Sequence, residues 1–241
     1  MSWSERPGSE SHSLLWDCDI KSISPDDNTL ISIWKIDESL VELEKLSTDE
    51  IKIKNENKFK EHVATREAIK YCCEKLRVVY GKIIKDDSGK PALDTIKEGG
   101  ISISHKFPYA VGMVNLKNKC GVGIERIDEK IKKVKDKFLN ENEKKFSTQN
   151  NEITAIWSVK ESSYKVEGDT IPLKEIFVRK VKNNLYESRI RERKYKVKTI
   201  EFEGHILSFT TWAIPCHVFL SLFQFFSYSF QVGQRNVLDF R

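Results

Sequence analysis

The sequence has few cysteines and no CxxC pair. Their number is odd, namely Cys18, Cys72, Cys73, Cys120 and Cys216. Cys72 and Cys73 are adjacent, so their side chains would point in different directions on a helix. This pattern argues against both a disulfide framework and a zinc site. The N-terminal segment MSWSERPGSESHS also lacks the apolar core of a secretion signal, so we expect a cytoplasmic protein.

The sequence also has no strong excess of charge of one sign. Lysine and arginine total 41 against 36 aspartates and glutamates, which leaves a formal net charge of +5. The basic segments are mixed with acids and match no nucleic-acid-binding motif, so we expect solvated faces and no nucleic-acid partner. The 39% hydrophobic content supports a packed core and excludes a wholly disordered or fibrous chain.

Helices and strands are mixed along the chain without a steady βαβ rhythm, which predicts an α+β fold. Helical spacing and a capping-box start predict helices at 47–76, 128–146 and 152–166. Alternation and short apolar runs predict strands at 29–36, 101–104, 109–116, 120–126, 176–181, 185–190, 195–200 and 205–212.

These elements divide the chain into four parts. We expect a loose leader at 1–28, an N-terminal α+β subdomain at 29–117, a C-terminal α+β subdomain at 118–212 and an atypical apolar tail at 213–241. The tail is nearly long enough to span a bilayer, but Pro215, His217 and Gln224 interrupt it and argue against a membrane anchor. A translated intron or a shifted reading frame would give a similar composition, so the tail does not enter the fold prediction.

An acidic residue breaks the apolar face of the helix predicted at 152–166. Trp157, Glu161 and Lys165 follow one another at helical spacing. One interpretation is a surface ion pair between Glu161 and Lys165, contributing roughly 0.3–0.5 kcal/mol. The other is a partly buried carboxylate that binds a metal or takes a proton, with Lys165 holding a phosphate.

A second acid, Glu125, ends the predicted strand GVGIER. Gly123 and Glu125 project from one face of that strand, whereas Val122 and Ile124 project from the other. Two carboxylates, Glu125 and Glu161, would supply the hard oxygen ligands that suit Mg²⁺, especially when substrate phosphates complete the shell. Taken alone, Glu125 is more often a simple polar-face residue.

Three further polar residues interrupt their local patterns. Ser104 and His105 stand at a strand exit, where they can donate hydrogen bonds to a phosphate, but no partnered acid marks a nucleophilic triad. Arg66 falls on the apolar stripe of the helix predicted at 47–76. Its position calls for a reason other than packing.

The order of these residues resembles that of the Sfp-type 4′-phosphopantetheinyl transferases. The succession is Arg66, GKP at 89–91, SH at 104–105, GVGIE at 121–125 and WSVKESSYK at 157–165, and the resemblance covers 29–212. It implies a pseudo-dimer of two similar α+β halves with the active site between them. It also implies transfer of phosphopantetheine from coenzyme A to a serine of an acyl- or peptidyl-carrier protein, with Mg²⁺, by a protein that acts as a monomer.

The resemblance also implies roles for individual residues. Glu125 and Glu161 match metal-binding acids, and Glu161 additionally matches the proposed base for the serine hydroxyl. Lys165 matches a lysine that holds phosphate. The positions that grip the nucleotide end of coenzyme A, including its 3′-phosphate, are Arg66, Lys90, Ser104 and His105.

The strand motif departs from the family pattern at one position. The family has Gly-Val-Asp-Ile-Glu, and this sequence has Gly123 in place of the aspartate. A metal ligand is therefore missing, and Asp128, three residues beyond Glu125, is the candidate to replace it. The departure keeps open an alternative, a catalytically weak or silent relative that binds coenzyme A or a carrier protein.

Overall fold

The computed structural model describes residues 20–47, 53–86 and 89–214, with 211–214 described by their backbone. The helices are α1 (Leu40–Leu46), α2 (Glu56–Lys75), α3 (Ile131–Val134), α4 (Glu141–Phe146) and α5 (Asn150–Glu167). The strands are β1 (Ile20–Asp26), β2 (Thr29–Lys35), β3 (Ile83–Lys85), β4 (Pro91–Leu93), β5 (Gly100–Lys106), β6 (Tyr109–Asn115), β7 (Val122–Arg126), β8 (Phe177–Lys182), β9 (Leu185–Ile190), β10 (Arg193–Phe202) and β11 (His205–Ile214).

The first half is a four-stranded antiparallel sheet, in the order β1-β2-β6-β5, with α2 packed on it. Small residues let the helix approach closely. A Cβ at Gly112 of β6 would lie 2.8 Å from the backbone of Ala68 on α2. Ser32 of β2 donates a hydrogen bond to the carbonyl of the same Ala68, with an oxygen–oxygen distance of 2.8 Å. The backbone of α2 is thereby fixed against the sheet.

The second half is a five-stranded antiparallel sheet, in the order β7-β11-β10-β9-β8, with α5 packed on it. The buried face of α5 includes Ile153, Ile156 and Val159. The helix ends at Gly168, whose positive φ of 81° is a left-handed conformation that favours glycine. The α+β class is thus confirmed as two antiparallel sheets, each packed with helices.

The two sheets share a hydrophobic core. Ile31, Val111 and Met113 of the first sheet pack in one buried cluster with Val122 and Leu207 of the second. The edge strands β5 and β7 lie beside each other at this junction but belong to separate sheets. This arrangement places the predicted site residues of the two halves close together.

Several predicted boundaries differ from the structure. Residues Ile20–Asp26 of the predicted leader form β1, and Ala213 and Ile214 of the predicted tail belong to β11. The helix predicted at 47–76 is α2 alone, which begins after the Asn55 cap, while Ser39 and Glu42 form a capping box on the separate helix α1. The stretch 128–146 is divided into α3, a 3-10 turn and α4.

Residues 1–19 of the predicted leader and 215–241 of the predicted tail lie outside the described residues. Within the described part of the chain, no helix is long and apolar enough to cross a membrane. The three cysteines described there, Cys72, Cys73 and Cys120, are free and buried.

Candidate functional site

The junction between β5 and β7 is held by side chains rather than by a regular strand ladder. Ser102 Oγ accepts the backbone N–H of Val122, and Ser104 Oγ accepts that of Ile124, both at 3.1 Å. From the side of α5, the Lys165 ammonium donates to the carbonyl of Ile103 at 2.9 Å and to that of Val122 at 3.0 Å. We call this junction the seam.

Glu161 is connected to the seam through the same lysine. Its Oε1 lies 2.6 Å from Lys165 Nζ and accepts a hydrogen bond from Ser104 Oγ at 3.2 Å. The Glu161 side chain is 28% exposed, so water and small ligands reach it. The ion pair expected from helical spacing is therefore present, but it belongs to a network that joins both halves of the fold rather than to an isolated surface pair.

Lys160 fixes the orientation of this part of α5. Its side chain is fully buried, and its Nζ lies 2.8 Å from Glu143 Oε2 and donates to the carbonyl of Phe138 at 2.6 Å. Burial lowers the pKa of Lys160, and the ion pair with Glu143 opposes that shift. Because adjacent residues on a helix point about 100° apart, anchoring Lys160 in the core turns Glu161 toward the seam.

A cationic cleft opens next to the seam. Its volume is about 360 Å³, and the charged residues that line it, within the described part of the chain, are all cations, namely Arg66, Lys85, Lys90 and Lys165. Ser102 and Gly89 also line it. Three predicted ligand-binding residues, which come from separate sequence motifs, therefore meet at one cavity whose charge suits a polyphosphate.

Lys90 enters this cleft in a partly desolvated environment. Its Nζ donates to the carbonyl of Cys120 at 3.4 Å, and burial lowers the pKa of the ammonium. An anion bound in the cleft would counter that shift, because it favours the charged form of the lysine. Lys90 thus has both the position and the electrostatic environment expected of an anion-binding residue.

The other predicted residues stand at the far end of β5 and β7. The Nδ1 atom of His105 lies 3.1 Å from Glu61 Oε2, and Glu125 Oε1 lies 2.5 Å from Lys106 Nζ. Neither His105 nor Glu125 lines the cationic cleft. The structure thus brings Arg66, Lys90 and Lys165 together and places His105 and Glu125 beyond them.

Gly123 lies in contact with α5. A Cβ at this position would lie 2.9 Å from the Ser158 carbonyl oxygen and 3.1 Å from both Glu161 Oε2 and Ser208 Oγ. The glycine therefore permits close packing of β7 against α5. It also means that this position lacks the carboxylate that the family pattern would supply. An aspartate would point toward Glu161, but the helix or its side chains would have to shift to admit it.

Asp128 gives no sign of replacing the missing aspartate. Its Oδ1 accepts the N–H of Lys130 at 2.9 Å, and its Oδ2 lies 3.2 Å from Arg126 Nη2. The pKa of Asp128 is lowered, first by the backbone hydrogen bond from Lys130. The carboxylate is thus engaged within its own turn.

Two carboxylates near β7, those of Glu125 and Glu161, are of the chemical type that binds Mg²⁺. Glu161 uses Oε1 for its contacts with Lys165 and Ser104, while its Oε2 lies toward Gly123. Glu125 projects from the same face of β7 as Gly123, two residues along the strand. Among the described residues, no group of three or more His, Cys, Asp or Glu side chains is placed to hold a metal, so ligand phosphate and water would complete the shell.

Sequence reasoning missed several residues of the site. Ser102 and Lys85 carried no motif of their own, although Ser102 precedes Ser104 by two residues and so projects from the same face of β5. Glu61 and Lys106 were missed because their partners are distant in sequence or on another strand.

No protein-family model and no curated protein matches this chain. Its function must therefore be inferred from the succession of sequence motifs and from the geometry of the cleft and the seam.

Proposed function

We propose that this protein transfers 4′-phosphopantetheine from coenzyme A to a serine of an acyl- or peptidyl-carrier protein, as its resemblance to the Sfp-type transferases implies. The observation that carries the proposal is the meeting of Arg66, Lys90 and Lys165 at one cationic cleft between the halves. We propose in addition that the two halves form the pseudo-dimer expected of that family, so that one chain builds the site.

The cleft would bind the anionic part of coenzyme A. Its four cations, Arg66, Lys85, Lys90 and Lys165, face a ligand that carries a pyrophosphate and a 3′-phosphate. Hydrogen bonds in which both partners are charged are shorter and stronger than neutral ones, so these side chains both hold and orient the ligand. His105, at the end of β5, would extend this binding surface beyond the cleft. Ser104 is buried and its hydroxyl already donates to Glu161, so it would support the site through Glu161 and not by donating to the ligand.

Glu125 and Glu161 would hold Mg²⁺, which supplies charge neutralisation at the pyrophosphate when it is bound. Lys165, which lines the cleft, would add a second positive charge close to the same phosphates. Both effects favour departure of the nucleotide, because negative charge develops on the leaving phosphate oxygen.

The carrier serine would be activated by Glu161. The serine hydroxyl oxygen forms a bond to the β-phosphorus of coenzyme A. At the same time, the bond from that phosphorus to the bridging oxygen breaks, and adenosine 3′,5′-bisphosphate leaves with the electron pair. The serine proton passes to Glu161, directly or through water. The partial exposure of Glu161 leaves its carboxylate accessible for this step.

A second candidate is a binding module with little or no transfer activity. Gly123 removes one carboxylate oxygen, and both remaining carboxylates pair with lysines, Glu161 with Lys165 and Glu125 with Lys106. Such a protein would retain the cationic cleft and bind coenzyme A while transferring slowly.

The two candidates are separated by incubating the full chain with fluorescent coenzyme A, Mg²⁺ and either an apo-acyl-carrier or an apo-peptidyl-carrier protein. Label on the carrier that is lost in Glu161→Gln and kept in Glu129→Gln, an 85% exposed control, supports the transferase. Tight coenzyme A binding without label supports the binding module. Absence of both label and binding contradicts both candidates.

A further inference from the structure

We propose that Glu61 is a positioning residue that sets the tautomer and direction of the His105 imidazole for contact with a phosphate. The inference rests on the proposed function, because it takes the ligand of His105 to be the 3′-phosphate of coenzyme A. It adds to that function a residue on α2 that belongs to none of the sequence motifs.

Both carboxylate oxygens of Glu61 reach the exit of β5. Oε2 lies 3.1 Å from His105 Nδ1, and Oε1 accepts the backbone N–H of Phe107 at 3.0 Å. The Glu61 side chain is 13% exposed, whereas that of His105 is 51% exposed. A largely buried carboxylate thus holds one edge of a ring whose remaining surface faces solvent.

This geometry determines which ring nitrogen carries the proton. A carboxylate can only accept, so the Nδ1 atom of His105 must be the donor in this contact. In the neutral ring this tautomer leaves Nε2 as an acceptor, which a phosphate oxygen does not approach. Contact with a phosphate therefore requires a proton on Nε2 as well, and in that form one N–H points to Glu61 and the other to the phosphate oxygen. The arrangement parallels the carboxylates that orient histidines at metal centres, where such partners fix ring tautomer and direction.

Glu61→Gln tests this role without removing the shape of the side chain. If the amide oxygen keeps the Phe107 N–H, the amide nitrogen faces His105 Nδ1 and donates to it, which moves the ring proton to Nε2. Long-range ¹H–¹⁵N correlation spectra of His105 report this change of tautomer directly. Glu74→Gln, an exposed position on the same helix, is the matched control.

The binding measurement compares coenzyme A with dephospho-coenzyme A by calorimetry. Glu61→Gln removes the carboxylate charge that favours the protonated His105 ring, so the hydrogen bond from His105 to the 3′-phosphate becomes weaker. We therefore expect this variant to lower the preference for coenzyme A roughly tenfold. His105→Ala should lower this preference for coenzyme A at least as far. The Glu61→Gln/His105→Ala double variant should lower it no further than His105→Ala alone does. Thermal unfolding of each variant reports whether the fold is kept.

The outcomes separate this inference from the proposed function. A changed His105 tautomer together with a reduced, non-additive preference supports the positioning role. If the wild-type chain binds coenzyme A but Glu61→Gln leaves the tautomer unchanged, or weakens both ligands equally, the inference alone is overturned. If the wild-type chain does not bind coenzyme A, the inference and the proposed function both fail.

Discussion

The Lys165 ammonium lies 2.6 Å from Glu161 Oε1 and donates to two backbone carbonyls, one from each half of the fold. An ammonium has three protons, and these three acceptors use all of them. If Lys165 binds a phosphate, as the proposed function requires, it must therefore release at least one of these partners. The residue that joins the halves is also the one expected to respond to ligand.

We expect Lys165→Met to lower both stability and ligand binding. Methionine keeps much of the aliphatic length but leaves the carbonyls of Ile103 and Val122 without their donor, at a cost of about 2 kcal/mol in the free energy of unfolding. Urea unfolding measures the first effect and coenzyme A titration the second. Lys132→Met, at a half-exposed surface position, should change neither, and an unaltered midpoint in Lys165→Met would contradict the structural role.

We expect Gly123→Asp to combine a steric cost with stronger Mg²⁺ binding. Because a Cβ at this position would lie 2.9 Å from the Ser158 carbonyl oxygen, both Gly123→Ala and Gly123→Asp should lose about 1–3 kcal/mol of stability. Only the aspartate adds an oxygen ligand beside Glu161. Mg²⁺ should therefore raise the melting temperature and transfer rate of Gly123→Asp but not those of Gly123→Ala, and an equal response of the two would rule out a metal at this position.

We expect Arg66→Ala to weaken binding of coenzyme A more than binding of dephospho-coenzyme A. Arg66 lines the cationic cleft, and a lost charged contact is worth roughly 1.5–3 kcal/mol, or about a 10- to 150-fold change in affinity. Lys58→Ala, at an exposed position near the start of α2, is the control. Equal losses for the two ligands by calorimetry would show that Arg66 does not contact the 3′-phosphate.

We expect the buried thiols to resist labelling in the folded protein. Burial raises the pKa of Cys72 and Cys120 to about 12 and that of Cys73 to about 11. In a chain with Cys18→Ser and Cys216→Ser, an aromatic disulfide reagent at pH 8 should label these thiols only after denaturation. Rapid labelling without denaturant would contradict their burial.

The same thiols predict a dependence of stability on pH. Their pKa values in the folded state lie above the ordinary value of 9.0. The unfolded chain therefore loses these protons first, and their contribution to the free energy of unfolding is complete below pH 9 and falls as the pH rises toward 11–12. Replacing Cys120 with Ala should make the decline between pH 9 and 10.5 shallower, as measured by denaturant midpoints.

Local patterns were sufficient to predict much of the fold. Helix α5 and strands β2, β5, β6 and β7 lie close to their predicted positions, because each is a contiguous apolar or amphipathic segment with its own periodicity. The prediction of secondary structure failed where the local composition was typical of a loop but strand pairing imposed a strand. Strand β1 contains Ser22, Ser24 and Pro25, which are typical of loops, but pairing with β2 makes it a strand.

The site was predictable in its residue types but not in its contacts. The resemblance to the transferase family brought Arg66, Lys90 and Lys165 into one prediction, and all three line the cleft. The lysine pairings of Glu125 and Glu161 and the contact of Gly123 with α5 depend on how two sheets approach each other. No local periodicity encodes that distance, so these features required the structure.

The seam also protects the chain against association through exposed strands. Strands β5 and β7 are each the edge of a sheet, and an unpaired edge is a template for adding a strand from another molecule. Here they cover each other. The outer edges of the two larger sheets carry basic residues that oppose such pairing, namely Lys21 on β1 and Arg179, Lys180 and Lys182 on β8. Loosening the seam would therefore expose the unpaired edges of β5 and β7 at once. We expect variants that loosen it to aggregate as well as to lose the proposed binding of coenzyme A.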